Sequence, residues 1–249
     1  MLSVSLFRAR GSFLWVAAIF AMSLWGQASA SVVIDTTRVI YPSKKSEVSV
    51  RLTNEGLTPK LVQVWIDDGD RQASPETIKV PFVVLTPIFR MDAKKGQVTR
   101  IQYLNTMPLP TDRESVYWLN VLEIPPKPTG KEAEENHLQF RYRTRIKLFY
   151  RPEGLAGTSA EASGKLRFKY KPGYVQVENP TAYYVSMVSL KVGEDAAGGK
   201  SDPQMFAPFS TTLLELKAQS SALQKPKIIY RTINDYGGAT AQEQSADQF

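Results

Sequence analysis

The sequence predicts an all-β protein built as two β-sandwich domains. Three observations carry that prediction. Period-two alternation of apolar and polar residues recurs along the chain after residue 31, turn-forming residues interrupt it at short intervals, and no helical periodicity survives between the turns. Successive side chains of a strand point to opposite faces, so a chain of this kind buries one parity and solvates the other.

Residues 1–30 read as a secretory signal peptide rather than as part of the fold. Arg8 and Arg10 form a basic start, Phe13 to Trp25 is mostly apolar, and Ala28, Ser29 and Ala30 give a small-x-small cleavage site before Ser31. The apolar run is shorter than the roughly 20 residues of a membrane-spanning helix, which makes an N-terminal anchor the lesser alternative. No second long apolar run follows, so the mature chain is expected to be exported and not embedded in a membrane. Its formal charge falls from +7 to +5 once Arg8 and Arg10 are gone, 29 basic side chains against 24 acidic ones. That mild excess suits acidic partners without demanding nucleic acid. There is no cysteine. Thiol chemistry and Cys-based metal sites are thereby excluded, and stability must come from packed cores.

The first sandwich is assigned to residues 31–151. Its strands are read at 31–41, 47–55, 61–67, 78–87, 97–104 and 114–126, with a long last strand over Leu138–Pro152. In the third of these, Val62, Val64 and Ile66 share one face, and Leu61, Gln63 and Trp65 the other. The turn at Asp67, Asp68 and Asp70 is read as a solvated hairpin, because it lacks the ligand spacing of a calcium loop. Seven or eight short strands with regular turns point to an immunoglobulin-type sandwich. After Pro152 the composition becomes small and polar over 153–165, as in a linker. A second set of strands follows at 166–170, 174–179, 183–192, 210–217 and 227–233, giving a second sandwich over 152–249 with a polar tail from 237.

Little in the sequence suggests catalysis. His137 is the sole histidine, no G-x-S-x-G or phosphate-binding glycine loop is present, and no carboxylate pair stands out. The protein is expected to be no enzyme and to need no metal and no cofactor.

The segment LQFRYRTRIKLFYRP, 138–152, is different. Leu138, Phe140, Tyr142, Thr144, Ile146, Leu148 and Tyr150 share one parity, while Arg141, Arg143, Arg145, Lys147 and Arg151 share the other. A strand of this length would span roughly 45 Å, against about 5–6 residues for an ordinary strand. One reading makes the cations a solvated outer face that guards an edge strand. Another makes the unpaired edge a template for a foreign chain, with alternate side chains entering its pockets and a fixed cation setting the register. Nucleic-acid binding is the weakest of the three for an exported protein.

These residues, with TRVIYP (37–42), DRESVYWLNVLEIPP (112–126), RTRIKLFYRP (143–152), VENPTAYYVS (177–186) and INDYGG (233–238), resemble the PapD-like periplasmic chaperones of the chaperone–usher pathway. The resemblance implies two immunoglobulin-like domains in a boomerang arrangement with a cleft between them. It places Arg38 and Lys147 in the cleft as anchors for the C-terminal carboxylate of a pilus subunit. It makes Leu138, Phe140 and Tyr142 the donor-strand residues that complete the subunit's fold. It makes Glu114, Arg151 and Asp235 an interdomain charged trio, with three independent surface charges as the plainer alternative. Partners are then pilus or fimbrial subunits and the outer-membrane usher. The exposed edge also leaves self-association of the free protein open. Phe140 and Tyr142 are bulkier than the aliphatic residues common at these positions, which implies roomier pockets in the subunit or a shallower insertion of Tyr142. The short, cysteine-free loop 125–136 resembles the short-loop subfamily. A secreted structural or adhesive fibre component is the alternative function, discriminated by whether the chain lacks a strand of its own.

Overall fold

The computed structural model describes residues 31–128, 130, 138–193, 199–217 and 225–248. The signal-peptide reading of 1–30, His137 and most of the loop 125–136 lie outside the described residues. The N-terminal sandwich contains β1 (Val32–Ile34), β2 (Arg38–Pro42), β3 (Glu47–Asn54), β4 (Lys60–Asp67), β5 (Phe82–Val84), β6 (Ile88–Met91), β7 (Gly96–Tyr103), β8 (Ser115–Ile124) and β9 (Tyr142–Arg151). The C-terminal sandwich contains a four-residue helix α1 (Ser159–Ala162), β10 (Arg167–Lys171), β11 (Tyr174–Asn179), β12 (Val185–Val192), β13 (Lys200–Ser201), β14 (Gln204–Phe206), β15 (Ser210–Glu215), β16 (Lys227–Ile233), β17 (Ala239–Ser245) and β18 (Asp247–Gln248).

Each sandwich packs two sheets over one core. In the first, the order β1-β3-β7-β5 faces β2-β9-β8-β4-β6; in the second, β15-β11-β10-β18 faces β13-β12-β16-β17. The alternation predicts the inner faces. Val62, Val64 and Ile66 of β4 are buried beside Leu119 and Val121 of β8 and Leu148 and Tyr150 of β9. Tyr41, Phe82, Tyr103 and Tyr150 close one end of this core as an aromatic cluster. The second core is built on Phe168, Val175, Val177, Leu190, Phe206 and Tyr230.

Five expectations about elements need correction. The run 31–41 is not one strand: β1 pairs β3 in one sheet, and β2 pairs β9 in the other. Alternation cannot reveal this switch, because both pieces bury the same kind of residue against the same core. The run 78–87 is strand only at β5, and Ile88–Met91 forms a further strand; Pro81 and Pro87, which have no N–H to donate, bracket β5. The long strand begins at Tyr142 rather than Leu138, for want of a ladder partner over 138–141. The polar tail is β17, paired with β16 over seven positions, followed by Ala246 buried in the core and by β18. Its small, polar sequence, with Gln242, Glu243 and Gln244, suits an edge strand with one wet face. Finally, 153–165 is ordered: Thr158 caps α1, and Ala162 and Leu166 join the second core.

Candidate functional site

The site grows out of β9. Its N-terminal half pairs with β8 on one side, through Tyr142↔Glu123 and Thr144↔Val121. On the other side its partner β2 reaches only from Lys147 to Arg151, with Arg38 opposite Lys147. Among the described residues, no strand pairs with that second edge between Tyr142 and Ile146. The backbone there offers unused donors and acceptors, the condition for adding a strand from another chain. Leu138, Phe140 and Tyr142 continue the line beyond the sandwich and are 78%, 58% and 45% exposed. The rings of Phe140 and Tyr142 lie 6.3 Å apart. Gln139 Nε2 donates to the Pro126 carbonyl at 2.8 Å and ties this extension to the end of β8.

At the inner end of the free edge stand two cations. Arg38, 7% exposed, donates from Nη1 to the Ile233 carbonyl at 3.0 Å, while its buried Nε has no hydrogen-bond partner. Lys147 Nζ donates to Ser186 Oγ at 2.9 Å. Among the described residues no carboxylate lies within salt-bridge distance of either. Burial, reinforced by the neighbouring Arg38 charge, lowers Lys147 from 10.5 to about 8. Burial also lowers Arg38, and Asp235 opposes the shift. The arrangement is short of negative charge, and a carboxylate placed here would gain charge-assisted hydrogen bonds from both.

The other cations on this face of β9 are spoken for, which corrects two expectations. Asp67 is no solvated turn residue: it is fully buried, and Arg145, Arg143, Asn120 Nδ2 and the Gly69 N–H all donate to it. Burial would raise its pKa, but the hydrogen bonds from Arg145, Asn120 and Gly69 outweigh that and hold it below the ordinary 3.8. Arg145 is half-buried, and Arg143, though exposed, is tied down beside it rather than free in solvent. Their guanidiniums lie 4.9 Å and 4.5 Å from the ring centres of Trp65 and Trp118. Sequence reading missed this cluster because its members come from β4, β8 and β9 and match no spacing rule. The Trp65 and Trp118 rings, large apolar groups on polar-parity positions, were the only signal.

The charged trio is assembled. Arg151 donates from Nε to Glu114 at 2.6 Å and from Nη1 and Nη2 to Asp235 at 2.7 and 3.0 Å. Tyr184 N–H and Ser159 Oγ donate to Glu114 and Asp235 at 2.8 and 2.7 Å. These groups line a cavity of about 210 Å³ between the sandwiches, together with Arg38, Phe149 and Asn234. Arg151 is thereby raised above its ordinary value and Asp235 lowered, burial being offset in both by their mutual hydrogen bonds. Beside the trio, the Asn234 turn packs so tightly on the residue just before β2 that a Cβ at Gly237, whose φ is +86°, would collide with Thr37 Oγ1. Among the described residues, no group of three or more His, Asp or Glu is placed to hold a metal ion, and no helix is long and apolar enough to cross a membrane.

Two immunoglobulin-like sandwiches meeting at a charged cleft, with an unpaired strand edge running out of it, define a two-domain β-sandwich chaperone. Residues 31–156 match the model for the N-terminal domain of PapD, a pili and flagellar-assembly chaperone, and 161–244 match that for the PapD C-terminal domain. The chain belongs to the PapD family of pilus assembly chaperones, which is not an enzyme family. It is 48% identical to chaperone protein FimB/FhaD of Bordetella pertussis, over 88% of this chain and 89% of that one. It is 44% identical to the probable fimbrial chaperone YadV of Escherichia coli K12, over 89% and 92%. The crystal structure of YadV superposes with a TM-score of 0.75, at 40% identity over 87% and 100% of the two chains. The SafB chaperone of Salmonella enterica, solved in complex with the SafA pilin, gives 0.73 at 27% identity over 88% and 98%.

Proposed function

We propose that this chaperone works in the periplasm, where it captures pilus subunits by lending them a strand, and then passes them to an outer-membrane usher. The observation that carries the proposal is a pair of cations, buried Arg38 and half-buried Lys147, that stand without a carboxylate among the described residues at the end of an unpaired edge. That edge continues into the exposed, alternating Leu138, Phe140 and Tyr142. A polypeptide terminus entering this cleft brings one carboxylate with two oxygens, enough for a guanidinium and an ammonium together. Away from bulk water such an anchor is weakly screened. It fixes register, because the strand ahead of the terminus must then run along β9 with its alternate residues beside Tyr142, Phe140 and Leu138. Burying those three side chains contributes roughly 5–9 kcal/mol before ordering costs, at about 1.5–3 each. That is comparable with the whole stability of a small domain. Glu114, Arg151 and Asp235 act as the clasp that holds the two sandwiches at a fixed angle around the anchor. Residues 31–151 and 152–249 then act as one capture unit after a signal peptide over 1–30 is removed. The pilin complex of a related chaperone supports a pilus subunit as the partner.

The test is co-expression with pilus subunits and purification through the chaperone. Wild type retains its subunit; Arg38→Ala and Lys147→Ala fold normally and retain about 100-fold less, the scale of truncating one member of a buried charge pair. Retention equal to wild type by either variant would show that the cations are not the anchor.

A further inference from the structure

Both anchor cations belong to the N-terminal sandwich, yet among the described residues each donates its one side-chain hydrogen bond to the C-terminal sandwich. Arg38 reaches the Ile233 carbonyl, and Lys147 reaches Ser186 Oγ. The four positions match in register. Arg38 and Lys147 are direct partners across β2 and β9, and Ser186 and Ile233 are direct partners across β12 and β16. One cross-strand pair of the first domain thus faces one cross-strand pair of the second. We propose that Ser186 is a positioning residue for subunit capture, a hydroxyl lent by the C-terminal domain that aims the Lys147 ammonium at the incoming carboxylate without neutralising it. This rests on Lys147 being a carboxylate anchor.

Three physical points support it. A lysine ammonium is a point charge on a flexible four-carbon stem, with no planar fork to orient it. An acceptor held on a strand narrows that freedom before the subunit arrives, so less is lost on binding. Ser186 is such an acceptor: it is 4% exposed and sits in a ladder fixed on both sides, by Ile233 and by Met205. The type of acceptor also matters. Arg143, Arg145 and Arg151 each have a carboxylate and are thereby closed to a new anion. An Asp or Glu at 186 would close Lys147 in the same way. A neutral oxygen satisfies one of the three ammonium donors and leaves the charge available. The β12–β16 ladder shifts register between Met187 and Ser189, immediately beyond Ser186. Such an irregularity re-aims the side chains beside it.

The experiment uses the full mature chain and a dye-labelled peptide copying the C-terminal strand of the subunit that co-purifies. The peptide is made once with a free α-carboxylate and once as the amide. Wild type should prefer the acid, and Ser186→Ala should lose about tenfold in acid affinity with amide affinity unchanged. Ser186→Thr, which keeps the hydroxyl, should return to within about twofold of wild type. In a Lys147→Ala background, Ser186→Ala should cost nothing further, because its only target is gone. A pH series adds a readout that packing alone would not move. Acid-peptide affinity should fall about tenfold per pH unit above the Lys147 value of about 8. In Ser186→Ala that fall should begin at lower pH, because a hydrogen bond to the charged form has been removed. The charges facing Lys147 are Arg38 on β2, a guanidinium that keeps its proton, and beyond it Asp235, already ionised. Undiminished acid binding by Ser186→Ala overturns the inference, as does a loss shared equally by the amide or persisting without Lys147. A wild-type chain indifferent to acid and amide would instead overturn the anchor itself, so the two failures are distinguishable.

Discussion

Two clusters on the same face of β9, a few residues apart, handle positive charge in opposite ways. Around Asp67, two guanidiniums share one buried carboxylate and lie flat on tryptophan rings, and every charge has found its partner within the chain. Around Lys147, the ammonium meets a hydroxyl, the adjacent Arg38 meets a backbone carbonyl, and neither meets a carboxylate among the described residues. Satisfied charge of the first kind is structure: it pins β9 to β4 and β8 where the strand leaves its second neighbour. Unsatisfied charge of the second kind costs stability in the free protein, and a bound anion recovers that cost. Strain of this sort is kept where it serves binding.

The sharpest way to break the comparison is to remove Asp67. Asp67→Ala leaves the half-buried Arg145 and the more exposed Arg143 facing each other without their carboxylate and should cost about 3 kcal/mol of unfolding free energy, the low end for an uncompensated buried charge. For a chain of this size that is roughly 10 °C in melting temperature, read by thermal denaturation. Subunit capture well below the melting point should survive. The same contribution should weaken in acid. The folded pKa of Asp67 is depressed, so its stabilisation is complete above the ordinary 3.8 and is lost as pH falls through the lower folded value. A stable Asp67→Ala protein would mean that the Arg–Trp stacking holds the strand alone.

Next in size is the free extension. Phe140→Asp should weaken capture by about 2 kcal/mol or more, the loss of one buried aromatic, with the free protein's melting temperature unchanged. Pull-down and melting together decide it: a large drop in the free protein's stability would place Phe140 in the chain's own core.

The smallest effect tests the cost of the unpaired cation. Lys147→Met should stabilise the free protein at pH 7 by about 1 kcal/mol while abolishing capture. Folded Lys147 titrates near 8 and unfolded lysine near 10.5, so the unfolded chain binds more protons between those values. Wild-type stability therefore rises across that window, so the methionine variant's advantage of about 1 kcal/mol should shrink from pH 8 upward and be gone before pH 10.5. Chemical denaturation at pH 7 and at pH 10.5 measures the difference.

Legibility from the sequence followed physical range. Strands with a strict period, such as β3, β4, β7 and β8, were readable because alternation is a local property of each segment. The switch between β1 and β2 was not, since both halves bury apolar residues against the same core. β17 escaped because an edge strand with one wet face needs no apolar run; Ala239–Ser245 is small and polar yet fully laddered. Of the site, the alternation in 138–150 and its density of cations were plain on inspection. Asp67 was misread as a solvated turn, because the partners that bury it, Asn120, Arg143 and Arg145, come from strands far along the chain. Ser186 carried no signal at all, one serine in a strand of the other domain.

Residue order alone determined the strictly alternating strands and the presence of a strand too long and too basic for its own sandwich, because parity and turn chemistry act between near neighbours. Only the tertiary structure decided which cations are paired and which wait. That outcome depends on what the folding of distant segments brings within about 3 Å: Asp67 to Arg145, Asp235 to Arg151, and to Lys147, among the described residues, nothing more than the hydroxyl of Ser186.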